Sequence, residues 1–206
     1  MTLQLNEIKI SHDNQPLFDS LSIIIKKGEI ATVMGPSGCG KSTLLAAICG
    51  SLSQDFQLSG DILLEGNSLI QVPMELRKVG ILFQDDFLFP HMDIGSNLAF
   101  AIPQGVPAKE RKLKINKVLE KAGLKGFYKR DPATLSGGQR ARISLLRSLL
   151  AEPKALLLDE PFSKLDKALK EQMRSYVFEQ VREMNIPALL VTHDPDDNAG
   201  DQVVNL

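Results

Sequence analysis

A short apolar run, Ile30-Ala31-Thr32-Val33-Met34, leads directly into Gly35-Pro36-Ser37-Gly38-Cys39-Gly40-Lys41-Ser42, and a helical pattern follows from Lys41 to Ile48. Gly-x4-Gly-Lys-Ser between a buried strand and a helix is the pattern of a phosphate-binding loop. Its glycines let the backbone curl until its N–H groups face phosphate oxygens. The positive end of the following helix adds to that field. Gly35, Pro36, Ser37, Gly38, Cys39 and Gly40 then form the cradle. Lys41 reaches the β- and γ-phosphates, the Ser42 hydroxyl ligates Mg²⁺, and Thr43 bonds the α-phosphate.

A short, largely apolar strand belongs to a parallel sheet covered on both faces, and the rest of the chain fits such a sheet. Residues 2–10 alternate, with Leu3, Leu5, Ile8 and Ile10 apolar, which predicts a strand. Asp13-Asn14-Gln15-Pro16 is turn chemistry, and Leu17 to Ile25 reads as a second strand. Ile62–Leu64 and Val79–Phe83 are further short strands. Residues 93–151 carry no strong strand pattern: a charged helix spans Ala108 to Ala122, Gly123 and Gly126 break it, and another helix runs from about Ser136 to Leu150. Strands resume at Ala155–Leu158 and Ala188–Val191, separated by a helix from about Leu165 to Met184. Strands alternating with helices imply right-handed crossovers. The expected fold is an α/β P-loop NTPase core with a mixed, mainly parallel sheet, an N-terminal antiparallel β-subdomain and an inserted α-helical subdomain. The expected division is one domain over residues 1–206, with 1–92 and 152–206 as the core and 93–151 as the helical insertion.

Asp159 and Glu160 follow the apolar run 155–158, at a strand end, where open α/β sheets place ligands. Adjacent carboxylates in an extended chain point to opposite sides. Asp159 can therefore hold Mg²⁺ while Glu160 faces an attacking water. Gln84 after Val79–Phe83 and His193 after Leu189–Thr192 take equivalent strand-end positions. A second glycine-rich patch, Leu135-Ser136-Gly137-Gly138-Gln139, has no task at phosphates that the upstream loop already holds, and suggests a site built from two copies of the chain.

Formal net charge is −1, from 24 basic and 25 acidic residues, so the balance calls for neither nucleic acid nor an anionic membrane surface. The absence of Trp and 5% aromatics argue against a base-stacking platform for nucleic acid. Cys39 and Cys49 read as reduced thiols. No signal-peptide pattern opens the chain, and no apolar run approaches the roughly 20 residues of a membrane span. A soluble protein is expected, with any membrane role exerted through partners.

Taken in order, these motifs resemble the nucleotide-binding subunits of ATP-binding-cassette (ABC) transporters. Gly35–Thr43 resembles Walker A, Gln84 the Q-loop, Leu135–Gln139 the signature, and Ala155–Glu160 Walker B with its catalytic glutamate. Ser163-Lys164-Leu165-Asp166 resembles the D-loop and His193 the switch histidine. The resemblance implies a homodimer, or a pair with a second ABC subunit, closing head to tail around two ATP. In that arrangement Ser136, Gly137, Gly138 and Gln139 of one copy cap the γ-phosphate on the other's Walker A, and Asp166 organises the contact. It also implies that Glu160 polarises water, that His193 contacts the γ-phosphate, and that Gln84, a ligand of Mg²⁺ beside Ser42 and Asp159, links the γ-phosphate site to the helical lobe.

Phe83-Gln84-Asp85-Asp86-Phe87-Leu88-Phe89-Pro90-His91-Met92 is similar to the Q-loop of bacterial importer ATPases, with exposed Phe87, Leu88 and Phe89 suited to a helix of a membrane permease. A solute-binding protein outside the membrane and a location on the inner membrane face follow from the same resemblance. Three departures stand out. His12 occupies the usual adenine-stacking position, which leaves GTP use open, with Phe18 beyond it assigned to the core. Lys164 replaces a small residue. The sequence stops at Val203–Leu206, so a regulatory domain beyond the last strand is not expected. The acidic stretch Asp194–Asp201 reads as a solvated loop. A soluble ABC-type ATPase without a transport role is the alternative, and a nucleotide-gated adaptor is disfavoured because Glu160 and His193 are both present.

Overall fold

The computed structural model describes residues 1–163 and 165–206. The departure noted at Lys164 lies outside the described residues. In chain order the elements are β1 (Thr2–His12), β2 (Gln15–Pro16), β3 (Leu21–Lys26), β4 (Ile30–Met34), α1 (Lys41–Cys49), β5 (Phe56–Leu64), β6 (Asn67–Ser68), β7 (Val79–Leu82), α2 (Ile94–Ala101), α3 (Ala108–Lys121), α4 (Gly137–Leu150), β8 (Ala155–Asp159), α5 (Lys167–Met184), β9 (Ala188–Thr192) and β10 (Gln202–Asn205).

Two sheets result. β1, β2, β3, β5 and β6 form an antiparallel sheet, and β10-β4-β9-β8-β7 a parallel one. The fold class is the expected one, and the core sheet is parallel at every described pairing. Alternation along β1 and β3 turns Leu3, Leu5, Ile23 and Ile25 inward, while β8 and β9 are buried on both faces. One apolar cluster joins the antiparallel sheet and α1 to one face of the parallel sheet. A second packs α4 and α5 on the opposite face, through Leu145, Val177 and Val181. A third, containing Ile94, Leu98, Ile115, Leu119 and Ile143, holds α2, α3 and α4 together.

Several boundaries differ from the sequence expectation. The strand expected over Leu17–Ile25 starts only at Leu21, because Leu17 and Phe18 turn inward beneath the phosphate loop. Phe18 is core, as expected. Ile62–Leu64 is the end of the longer β5, whose outer half is half-exposed and lacks a continuous apolar signal. Helix α2 has no counterpart in the sequence reading. Asp93 caps it, accepting from the Ser96 N–H at 2.8 Å. Its Asn97 is fully buried, bonded to both backbone groups of Phe89 and to the carbonyls of Met92 and Asp93.

Arg77 ties the strand that leads to Gln84 back to the phosphate-loop helix. Its guanidinium is buried and donates to the carbonyls of Val72 (2.8 Å), Ala47 (2.8 Å) and Ile48 (2.9 Å). The last two are among the carbonyls that a helix end leaves without an intrahelical partner. Arg77→Met strands three carbonyls, so it should lower the free energy of unfolding by about 2–4 kcal/mol, read from urea denaturation of both proteins.

Candidate nucleotide site

Four parallel strands deliver their carboxyl ends to one edge of the sheet. β4 opens into the loop 35–40, β7 leads to Gln84, β8 ends at Asp159 with Glu160 next, and β9 ends at Thr192 with His193 next. Register keeps the ends level, since Met34 pairs with Thr192 and Asp159 with Val191. This is where open α/β sheets hold ligands.

The loop requires glycine at its last position. Gly40 has φ +96° and caps α1. A Cβ there would lie 3.1 Å from Leu17 Cβ and from the Phe18 ring, so the left-handed turn and the close packing exclude other residues. Lys41 is buried, and its ammonium donates to the carbonyls of Gly35 and Pro36, each at 2.8 Å. It is also 4.0 Å from Glu160 Oε1. A cation held by neutral carbonyls beside one carboxylate is ready for a polyanion. A cavity of 420 Å³ lies over the loop, lined by Ser37, Gly38, Gly40, Lys41, Ser42, Thr43, Gln84, Asp159 and Glu160. The structure thus brings together the loop, the acidic pair and Gln84.

Ser42 Oγ donates to Asp159 Oδ1 at 3.1 Å. Burial pushes the Asp159 carboxyl above its ordinary range and the charge of Glu160 adds to this, while the Ser42 hydrogen bond and Lys41 oppose it. A hydroxyl and a carboxylate, completed by phosphate oxygens, are the donors Mg²⁺ takes in nucleotide sites, so these residues fit that ion. Among the described residues no cluster of three His, Cys, Asp or Glu side chains could hold a metal without such help.

Glu160 follows the end of β8 and lines the same cavity as Asp159. Its backbone has φ +43°, a strained conformation for a non-glycine residue, held by its N–H donating to Val191 O at 3.0 Å. Its Oε1 lies 3.0 Å from His193 Nδ1, so the ring donates when Nδ1 carries the proton. Gln84 Nε2 donates to Ser163 Oγ (3.1 Å), whose hydroxyl donates to the Glu160 carbonyl (2.9 Å). Gln84, Glu160, Ser163 and His193 therefore form one connected set.

The patch 135–139 stands apart from it. Ser136 caps α4 and accepts from the Gln139 N–H (3.3 Å), while Gln139 Oε1 accepts from the Ser136 N–H (3.1 Å). None of these residues lines the cavity over the phosphate loop; Gly137 borders a different hollow with Asp86, Arg140 and Pro161. Gly138 is where α4 and α5 touch, and a Cβ there would be 2.2 Å from Leu169 Cδ2. Asp166 caps α5, accepting from the Leu169 N–H at 3.1 Å.

Two arginines of α4 escaped the sequence reading. Arg140 pairs with Asp86 at 2.8 Å, and Arg147 donates to the carbonyls of Phe87 (2.9 Å) and Asp86 (3.2 Å). They clamp the segment after Gln84 to the helix that Ser136 begins. Their signal was the i, i+7 spacing, which puts both on one helix face. Phe87 is exposed as expected, with Phe83 edge-on to it. Leu88 and Phe89 are half-buried: Leu88 packs on the helical cluster and Phe89 sits between Phe100 and Arg147. His12 lies outside the lining of the cavity, its ring 4.9 Å from that of Phe56, a neighbour the sequence did not suggest. The stretch Asp194–Asp201 is not simply solvated. Asp197 is 2% exposed and accepts from Thr192 Oγ1 (2.8 Å), and Asp201 accepts from the Ile30 N–H (2.9 Å).

No helix among the described residues is long and apolar enough to cross a membrane. Comparison with known proteins agrees with the geometry. The ABC transporter family pattern matches residues 18–163. An uncharacterized ABC transporter ATP-binding protein of Escherichia coli (strain K12), YnjD, is 48% identical over 91% of this chain and 87% of its own. The putrescine transport ATP-binding protein PotG of the same strain is 41% identical over 95% of this chain. The Fe(3+) ions import ATP-binding protein FbpC of Mannheimia succiniciproducens is 38% identical over 93%. The chain spans about half the length of these last two, 51% and 54%. Phosphate loop, acidic strand end and family match together place the chain in the ABC transporter family, as an ATPase of that class.

Proposed function

We propose that the chain, as one ATPase domain over residues 1–206 with 93–151 as its helical lobe, energises an ABC-type importer by binding and hydrolysing ATP. The observation that carries the hydrolytic part is the joined set Lys41, Glu160 and His193: Lys41 and Glu160 line the phosphate cavity, and His193 meets Glu160 from a neighbouring hollow. Backbone N–H groups of the loop and the Lys41 ammonium neutralise phosphate charge; Thr43 holds the α-phosphate. Ser42 and Asp159, with Gln84 beside them, would hold Mg²⁺, which when bound supplies charge neutralisation at the phosphates. Glu160 accepts a proton from the attacking water, and His193 orients that carboxylate and meets the γ-phosphate. Chemistry of this kind is mostly positioning and electrostatics. The adenine stacks on His12, backed by Phe56.

Ser136–Gln139 fits a role in a second copy's site, because it lies off the cavity of its own chain. Two chains, or this chain and a second ABC subunit, close around two ATP, with Asp166 at the contact. The import reading rests on the relatives named for putrescine transport and Fe(3+) import. It places the chain at the inner membrane face through permease subunits, fed by a solute-binding protein outside. A groove of 680 Å³ lined by Cys49, Met74, Val79, Ile81, Phe83 and Pro153, continuous at Phe83 with exposed Phe87, suits an apolar helix of such a permease.

The test is co-purification with the permease encoded beside its gene. Met74, 52% exposed, is the probe. Met74→Asp should weaken permease binding about tenfold or more while basal ATP turnover stays unchanged. A wild-type chain that binds no permease overturns the import reading.

A further inference from the structure

The Lys170 side chain, on the first turn of α5, is 14% exposed, and its ammonium holds two carboxylates of the segment after His193. It bonds Asp194 and lies 2.9 Å from Asp197. Asp197 in turn accepts from Thr192 Oγ1 (2.8 Å), and the same oxygen accepts from the Asp194 N–H (3.0 Å). His193 is thus the middle residue of a turn whose two flanks, Thr192 and Asp194, are fastened to one lysine. Arg174 donates to the Asp196 carbonyl, and Lys167 lines the same hollow. Lys170 is also one helical turn from Asp166, to whose carbonyl its N–H donates at 2.8 Å.

We propose that Lys170 is a positioning residue that sets His193 against Glu160 from the first turn of α5. The proposal rests on the assignment of His193 to hydrolysis made above. Lys170 does not line the phosphate cavity; it lines a neighbouring hollow together with Thr192, His193 and Asp194. A lysine can donate to both carboxylates at once, and removing it leaves Asp197, 2% exposed, buried beside Asp194 without a cation. The turn then relaxes toward solvent and carries the imidazole off the 3.0 Å contact with Glu160.

A double-mutant cycle on the full chain tests this, with ATP and Mg²⁺, thermal melts run alongside. Lys170→Met should lower kcat about tenfold with KM for ATP within about a factor of two, the signature of a lost transition-state contact. Lys170→Arg should restore kcat. In the His193→Ala background Lys170→Met should cost nothing further. Asp194→Asn, which removes one carboxylate and leaves Lys170 its other partner, provides a milder probe should Lys170→Met not fold; its smaller loss should also vanish without His193. A full multiplicative loss in both backgrounds, or a folded Lys170→Met with wild-type kcat, overturns the proposal while leaving His193 in place. His193→Ala with wild-type turnover overturns the hydrolytic role of His193 itself, and the proposal with it.

Discussion

Glu160→Gln is expected to lower steady-state ATP turnover by about 10²–10⁴-fold, the usual contribution of a general base. The substitution is close to isosteric. An amide accepts the His193 contact at 3.0 Å as the carboxylate does, and it tolerates the strained φ of +43° no worse than glutamate. What it cannot do is take a proton from water. ATP binding should survive, since the loop, Lys41 and the Ser42–Asp159 pair are untouched; Lys41 loses only a 4.0 Å charge neighbour while keeping two carbonyl partners at 2.8 Å. With hydrolysis blocked, the nucleotide of the proposed two-copy assembly should persist. The variant should therefore run with ATP at twice the 22.7 kDa of one chain, and wild type should do so only transiently. Light scattering after gel filtration, with phosphate release measured on the same sample, reads both quantities. A monomer with unchanged turnover contradicts the assignment of Glu160.

The parts of this site that were legible in the sequence are contiguous. Gly35–Thr43 and Asp159-Glu160 announce themselves because they depend on neighbours along the chain, a backbone curl and a strand end, and the helix cap at Ser136–Gln139 is legible in the same way. Strand-end placement of Gln84 and His193 was legible too, because apolar runs ending in one polar residue have few other uses in a parallel sheet. What escaped depends on residues far apart. Asp197 reads as one more acid in a loop until Lys170 of α5 is seen beside it. Phe56 meets His12 only through the β1–β5 register, in which the two residues are direct partners. Helix α2 was missed because its eight residues are too few to show a period, and because its stability comes from the Asp93 cap and from Asn97 bonded into the preceding loop.

The second large effect concerns Ser136. Ser136→Arg should abolish turnover while leaving ATP binding to the single chain intact, because the residue lies off the cavity its own phosphate loop forms. Loss of the cap, whose hydroxyl accepts from Gln139 N–H at 3.3 Å, costs about 1 kcal/mol of helix stability, too little to unfold the chain. The greater effect is that a bulky cation replaces a small acceptor where a second copy's γ-phosphate would be covered. Mixing separates this from a local defect. A Ser136→Arg chain keeps its own Lys41 and Glu160, and a Glu160→Gln chain keeps its own Ser136. Combined in equal amounts before ATP is added, they form mixed dimers with one intact composite site. Turnover should then rise from near zero in either variant alone to about a quarter of wild type, half the dimers having one of two sites complete. Such recovery requires that Ser136 serve the other chain's nucleotide; if the mixture stays inactive, or if Ser136→Arg alone abolishes ATP binding, the patch works within its own chain and the two-copy site is wrong.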